Sequence, residues 1–362
     1  MRIAHAIAGP YPAFRGSQVL VAQLVAGLRE RGHLVDVVSY GSWMAERPGF
    51  HPGRVPLDLV LVVKLARAVR AGGIEVVHAH NYEAATAALL VSRWTGVPFV
   101  FHGHSAMADE MPLYAAGPGG ARLLSRMGAF LDGTIPRAAA ACLAVTDELA
   151  AVLQRAGVRR VTSLPPVLHP NGAGGAASAE ESPGPTVVYA GNLDAYQNFD
   201  LLWQAFARVR RRVPAVRLVI VTHPDARRTA AGLVRRGLPP AVEIVYASSY
   251  EEVRAWLFRA HVLVAPRSES TGYPMKLLNY MASGKAIVAL AGGAHGLRDG
   301  ETARVVPDHD VEGFAGAVGD LLENPAERHR LGAAARAAAA DPRRFTESIV
   351  ALEGVYDEVV HR

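Results

Sequence analysis

Residues 266–290 read PRSESTGYPMKLLNYMASGKAIVAL. An apolar segment, Val262–Ala265, leads into them and predicts a strand. The loop that follows contains Gly272 and Pro274. Met275–Ala282 has helical spacing, Gly284-Lys285 forms a turn, and Ala286–Ala289 is a second apolar strand. Strand, loop, helix, turn and strand in this order form one unit of a parallel sheet. Loop amides and a helix N-terminus together make an anion site. Lys276, in the first helical turn, would place a point charge beside a phosphate. Pro274 has no N–H to offer but suits the start of a helix. An ordinary strand–turn–helix carrying a solvated lysine fits the same pattern.

The alternation extends outward in both directions. The spacing predicts strands at Val187–Ala190, Arg217–Thr222, Glu243–Tyr246 and Val305–Val306. Helices are predicted at Asp200–Arg212, Ala226–Arg236 and Glu251–Arg259, with two or three more at the end. Toward the N-terminus, strands are expected at Arg2–Ala8, Leu34–Ser39, Glu75–His78, Phe99–Phe101, Ala141–Val145 and Val161–Leu164. Helices are expected at Gln18–Arg31, Val60–Ala71 and Glu83–Thr95, and another starts at Thr146-Asp147-Glu148 in N-cap style. Between the halves, residues 165–185 are rich in Gly, Ala, Ser and Pro and lack periodicity. The fold class is therefore α/β: two doubly wound, Rossmann-like domains joined by a linker. Ligands of such sheets bind beyond the carboxyl ends of the strands, so the cleft between the domains is the expected site.

Composition narrows the function. The 362 residues are 50% hydrophobic and 20% charged, with a formal net charge of +5. That supports two cores and excludes global disorder. There is no long basic run, so no nucleic-acid partner is expected, while an anionic substrate or membrane surface stays open. Cys142 is the one cysteine, so an intrachain disulfide is excluded and a buried core thiol is expected. No apolar run reaches the ~18 residues of a spanning helix, and the N-terminus lacks a signal-peptide pattern. The expected location is the cytoplasm, with peripheral attachment to the inner membrane face left open.

Residues 266–290 resemble the donor-site signature of retaining glycosyltransferases of the GT-B fold, family 4 (glycosyl transferases group 1). The likeness continues through Ala291-Gly292-Gly293, Asp299-Gly300-Glu301-Thr302, Val306-Pro307 and Asp310. Upstream it includes residues 188–194, VYAGNLD, and Tyr250-Glu251-Glu252-Val253. Near the N-terminus, Gly16-Ser17-Gln18 opens a helix ending Arg29-Glu30-Arg31-Gly32-His33. The resemblance implies an acceptor-side domain at 1–168, a linker at 169–185 and a nucleotide-sugar donor domain at 186–340. It implies a helix at 341–362 that crosses back to the first domain. That helix has one apolar face: Ile349, Leu352, Tyr356 and Val359.

The resemblance also implies residue roles. Gly16 and Ser17 would face the donor diphosphate, and the amides of Gly272 and Tyr273 would meet it. His104 would lie near the reacting sugar and Asn279 near the nucleotide ribose. His104 and Lys276 become the catalytic candidates. The donor set adds Gly191, Asn192, Gln197, Arg267, Glu269, Thr271 and Pro274. Asn192 and Gln197 stand where the family carries an arginine and a lysine, and neither Ser270 nor Thr271 is the family's first glutamate. Two cationic contacts to a diphosphate are thereby lost, and Lys276 and Arg267 are the candidate replacements. Asn81, Glu83, His102, Asp109 and Glu110, after strands of the first domain, are the acceptor candidates; for Glu83 a solvated first-turn residue is the equal alternative.

His78, His80, His102 and His104 form a dense set. Zinc is the rival reading there. It is set aside because alternate strand residues face opposite sides, so no consistent three-ligand geometry is expected. Asp308-His309-Asp310 matches a metal-binding Asp-x-Asp in form, but Asp310 reads better as an N-cap.

The expected function is metal-independent, cofactor-free transfer of a sugar from a nucleoside-diphosphate sugar to a hydroxyl of a saccharide, glycolipid or natural product. The lost charges motivate an alternative, a non-catalytic nucleotide-sugar binder supporting a partner enzyme. A nucleotide-sugar epimerase is a weaker rival, because it needs a better carboxylate pair than Glu83, Asp109 and Glu110 provide.

Overall fold

The computed structural model describes residues 1–12, 16–41, 55–115, 117–170, 180–235, 237–268 and 272–361. The chain divides into two units. The first comprises Met1–His169, Thr271–Tyr273 and Pro342–Arg362, and the second Pro170–Ser270 and Pro274–Asp341.

The first unit holds strands β1 (Arg2–Ile7), β2 (Leu34–Ser39), β3 (Val76–His80), β4 (Phe99–Gly103), β5 (Ala141–Ala144) and β6 (Val161–Ser163). They form one sheet in the order β2-β1-β3-β4-β5-β6, parallel throughout. Its helices are α1 (Gly16–Glu30), α2 (Val55–Ala71), α3 (Asn81–Thr95), α4 (Met107–Glu110), α5 (Pro118–Thr134) and α6 (Asp147–Arg155). The second unit holds β7 (Thr186–Ala190), β8 (Arg217–Thr222), β9 (Val242–Tyr246), β10 (Val262–Ala265), β11 (Ala286–Leu290) and β12 (Arg304–Val306). Their order is β12-β11-β10-β7-β8-β9, again parallel. Its helices are α7 (Phe199–Arg212), α8 (Arg227–Arg235), α9 (Tyr250–Arg259), α10 (Lys276–Ser283), α11 (Val311–Glu323) and α12 (Pro325–Ala339). The last helix, α13 (Pro342–Val360), belongs to the first unit. This is the α/β, doubly wound architecture that the alternation predicts.

Strands β3, β4, β7, β10 and β11 are buried along their whole length, as parallel strands covered on both faces must be. One face of the second sheet packs Tyr189, Phe206, Phe314 and Leu331; the other packs Leu277, Tyr280 and Met281. Each such side chain contributes about 1.5–3 kcal/mol by leaving water. Side-chain caps fix the helix starts: Thr146 accepts from the Leu149 amide at 3.1 Å and Asp310 from the Gly313 amide at 2.8 Å. Asp308 accepts from the Gly292 amide at 3.0 Å. Both aspartates of the Asp-x-Asp thus bind backbone. Cys142 is buried, and burial pushes its thiol up to about 12.

Two stretches differ from the sequence reading. Helix α2 starts at Val55, five residues before the periodicity suggested, and α4 and α5 lie where no helix was read. Helix α5 is inverted relative to an ordinary surface helix. Its inner face is small and polar. A Cβ on Gly128 would lie 2.3 Å from the Met107 carbonyl oxygen, and buried Asp132 accepts from the Met107 and Ala108 amides at 2.9 and 3.0 Å. Leu123, Met127 and Phe130 point outward, at 61%, 46% and 68% exposure.

Helix α13 buries Phe345, Ile349, Leu352, Tyr356 and Val359. It lies so close to α1 that a Cβ on Gly27 would come 2.7 Å from Ile349 and Phe345. Glu353 holds Arg31 at 2.7 Å and His33 at 2.8 Å. Among the described residues, no helix is long and apolar enough to cross a membrane.

Strand order reverses between β1 and β3 in one sheet and between β7 and β10 in the other. The carboxyl ends of those pairs are where ligands of open parallel sheets bind.

Candidate active site

In the second unit, β7 ends at Ala190 and the chain turns at Gly191 with φ +153°. A Cβ there would come 3.2 Å from Tyr189 Oη and 3.4 Å from Lys276 Nζ, so glycine keeps this turn open. Lys276 is the first residue of α10. Its Nζ donates to Tyr189 Oη at 2.9 Å and to Gln197 Oε1 at 2.6 Å, and lies 4.2 Å from the centroid of the Tyr189 ring. Gln197 Nε2 then donates to Asn192 Oδ1 at 2.5 Å. Asn192 Nδ2 donates to Asp194 Oδ2 at 2.5 Å and to Tyr196 Oη at 2.6 Å. Arg267, just past β10, places its guanidinium 4.8 Å over the Tyr196 ring.

Two carboxamides therefore link the lysine to the carboxylate of Asp194, and among the described residues the groups bonded directly to the ammonium are neutral. Burial above all, and then Arg267, push Lys276 well below the ordinary lysine range, while Asp194 pulls it back. A desolvated cation beside a second cation, with one carboxylate at a remove, is arranged to receive an anion. Asn279, one turn further along α10, accepts from Tyr250 Oη at 2.8 Å. Pro274 precedes the helix; Glu269 and Thr271 lie outside the described residues.

In the first unit, Gly16 opens α1 with φ +37°, and Ser17 Oγ donates to Gln18 Oε1 at 3.4 Å. Asn81, with φ +65°, joins β3 to α3, and Glu83 lies in the first turn of α3. Asp109 is exposed, whereas Glu110 accepts from Ser105 Oγ. Gly272 and Tyr273 belong to this unit, and a Cβ on Gly272 would come 2.6 Å from the His104 carbonyl oxygen.

Five histidines gather at the β1/β3 switch point. His5 pairs in register with His78, and His80 with His102. A hydrogen-bonded path runs His102 Nδ1 to His78 Nε2 (2.9 Å), His78 Nδ1 to Tyr356 Oη (2.5 Å) and Tyr356 Oη to His5 Nε2 (3.4 Å). It continues from His5 Nδ1 to His80 Nε2 (3.0 Å) and from His80 Nδ1 to His104 Nε2 (3.2 Å). Burial is the main cause that lowers all five: His5 to about 3, His104 to about 4, and His78, His80 and His102 well below the usual value. The cluster is neutral at physiological pH.

Two family models match the chain: "Glycosyltransferase Family 4" over residues 14–171 and "Glycosyl transferases group 1" over residues 184–324. The chain belongs to glycosyltransferase family 4. Phosphatidyl-myo-inositol mannosyltransferase of Mycobacterium tuberculosis is 29% identical, over 95% of this chain and 93% of its own length. Sucrose-phosphate synthase of Thermosynechococcus elongatus shares the fold at a TM-score of 0.78 and 18% identity, covering 99% of both chains. Anabaena HepE in complex with UDP-glucose does so at 0.72 and 14%, covering 98% of this chain and 99% of its own. The fold is GT-B, and this family 4 member is a glycosyltransferase that uses a nucleotide-sugar donor.

Of the residues singled out from sequence, Gly191, Asn192, Gln197, Arg267 and Lys276 come together, and His102 and His104 share one cluster. Asp109 stands apart on the surface, and Asn279 is engaged by Tyr250. Sequence reading missed Tyr189 and Tyr196, which seat the two cations, and His5 and Tyr356, which complete the histidine cluster. The argument against a three-histidine geometry fails on strand parity. Residues two apart on a strand share a face, so 78 with 80, and 102 with 104, point the same way.

Proposed function

We propose that this family 4 enzyme moves a sugar from a nucleoside-diphosphate sugar to a hydroxyl of a lipid-linked acceptor, with retention at the anomeric carbon. The observation that carries this reading is Lys276: a half-buried ammonium with neutral direct partners among the described residues, at the carboxyl ends of β7 and β10. Lys276 and Arg267 take the charge role that Asn192 and Gln197 lack, and the two amides hold Lys276 in place. In this mechanism the protein supplies positioning and charge stabilisation. Lys276 and Arg267 stabilise the departing diphosphate. That phosphate takes the proton of the acceptor hydroxyl, and His104 hydrogen-bonds the transferring sugar. The chemistry routes no proton through a metal or cofactor. The compensated charges weaken the case for a non-catalytic binder.

The test is a donor panel with product analysis. The anomeric carbon–proton coupling of the product is expected to report the donor's configuration; an inverted product would overturn retention. Binding without turnover for any acceptor would favour the non-catalytic alternative.

The lipid-linked acceptor rests on α5, whose outward stripe of Leu123, Met127 and Phe130 is flanked by exposed Arg122 and Arg126. Apolar side chains bordered by arginines suit an anionic bilayer surface. Binding to vesicles of phosphatidylglycerol and phosphatidylcholine is expected, falling at least about tenfold in the Leu123→Asp, Phe130→Asp double variant. Equal sedimentation of variant and parent would remove the membrane from this reading.

A further inference from the structure

The geometry points to a divalent transition-metal site in the first unit, with His80, His102 and His104 as its three protein ligands and zinc-class ions as its occupant. Two sets of three histidines have ring nitrogens within 4.8 Å of one another: His5, His78 and His80, and His80, His102 and His104. Ring geometry separates them. In the first set, His78 stacks on His5 and on His80, each with centroids 4.4 Å apart and interplanar angles of 29° and 12°. Stacked rings cannot aim three lone pairs at one point.

In the second set the centroids form a nearly equilateral triangle. The sides are 5.3 Å for His80–His102, 5.4 Å for His80–His104 and 5.1 Å for His102–His104, with planes inclined at 33°, 90° and 65°. A tetrahedral zinc with nitrogen at about 2.0–2.1 Å puts imidazole centroids about 5.2 Å apart and ligand nitrogens about 3.3 Å apart. His80 Nδ1 and His104 Nε2 are 3.2 Å apart.

An independent observation comes from hydrogen-bond counting. His102 Nε2 is buried and has no hydrogen-bond partner among the described residues. The path of neutral rings can be polarised in either direction. One direction leaves this nitrogen as a bare lone pair, the other as an undonated N–H, so no tautomer choice satisfies it. A cation bounded by the three rings does. The remaining contacts then fall into place. His80 donates Nε2–H to His5, and His102 donates Nδ1–H to His78. His5 and His78 both donate to Tyr356 Oη, which accepts with its two lone pairs. Each of the two deeper ligands thus has its outer nitrogen held by a neighbour, the usual way a protein orients metal-binding imidazoles. His104 is the half-buried member, which gives the ion a way in and leaves a fourth position for water or a substrate oxygen. The site does not depend on reading His104 as a sugar contact.

The test uses the whole chain, stripped with a chelator and titrated with zinc chloride by calorimetry. One ion per chain is expected, with a dissociation constant at or below about 1 μM. His102→Gln and His104→Gln should each weaken binding at least about a hundredfold, and His5→Gln, which only orients His80, about ten- to a hundredfold. His223→Gln in the second unit should change nothing. X-ray absorption of the zinc-loaded parent chain needs no variant to fold and should count three imidazoles. Fewer than two imidazoles, absence of one-to-one binding below about 100 μM, or undiminished binding in folded His102→Gln and His104→Gln variants would each overturn the site.

Discussion

A chelator-treated preparation of this enzyme is expected to lose first-unit stability progressively as pH falls from 7.5 to 5.5. The origin is the five neutral histidines. Their folded pKa values lie below the ordinary 6.5, His5 at about 3 and His104 at about 4, whereas the unfolded chain titrates near 6.5. Above the unfolded value neither state binds protons at these rings, and the cluster contributes no pH dependence. Below it the unfolded state gains protons that the folded state refuses, so stability falls as pH drops, and continues to fall until the folded values are reached. All five rings act in the same direction, against the ~5–15 kcal/mol that holds a typical domain folded.

No group packed on the cluster offsets this among the described residues. Arg29 on α1 lowers His5 further, and Tyr356 on α13 is itself neutral, its phenol pushed well above the ordinary range by burial. Urea unfolding followed by circular dichroism at several pH values is the measurement. The slope of first-unit stability against pH should be positive below pH 6.5 and correspond to several protons. A slope of one proton or fewer would mean that the rings are charged or solvated in the folded state. Among the described residues of the second unit, burial lowers His261 while Glu181 opposes the shift, so acid should weaken that unit less than the first.

The two halves of the molecule were unequally legible in the sequence. Apolar runs such as Val262–Ala265 and Ala286–Leu290 announce parallel strands because both of their faces are covered, so nothing polar interrupts them. The helix from Pro118 escaped because its buried face is Gly128 and Asp132, and its apolar side chains look outward. Periodicity marks a helix whose apolar side faces its own core, and this one does the reverse. In the second unit, Lys276 stands out in a chain with only three lysines, but the tyrosines beside it and Arg267 do not. Tyr189 sits on a buried strand, where an aromatic is ordinary. The histidine cluster was visible as letters and lost in a parity argument. Its fifth member, His5, and its phenol, Tyr356, are 351 residues apart, a separation that no local pattern spans.

Lys276→Met is expected to lower kcat/KM about a hundred- to a thousandfold while leaving the melting temperature equal or higher. The first part follows from the proposed role of Lys276 as a preorganised charge for the leaving diphosphate, which would be worth a few kcal/mol at a desolvated site. The second follows from the partners. The ammonium is half-buried against Tyr189 and Gln197, and among the described residues no carboxylate is bonded to it, so the apo protein carries its desolvation largely uncompensated. Replacing such a charge by an apolar chain of similar length is often neutral or stabilising. Activity and stability should therefore move in opposite directions, a pattern that a merely structural lysine would not give.

The pH dependence supplies a second signature. The folded pKa of Lys276 is depressed by burial and by Arg267. Between that value and the ordinary lysine range the unfolded state binds more protons than the folded one, so stability rises with pH across this window in the parent. In Lys276→Met that contribution vanishes. A bound diphosphate favours the charged ammonium, so donor binding takes up a proton wherever Lys276 is neutral, and donor affinity declines as pH rises through its folded pKa. Calorimetric titration of uridine diphosphate in buffers of different ionisation enthalpy reads this uptake directly. Proton uptake in the parent and none in the variant places Lys276 on the diphosphate. Identical uptake in both, or transfer kinetics unchanged by the substitution, would take Lys276 out of the mechanism and leave the second sheet without its leaving-group cation.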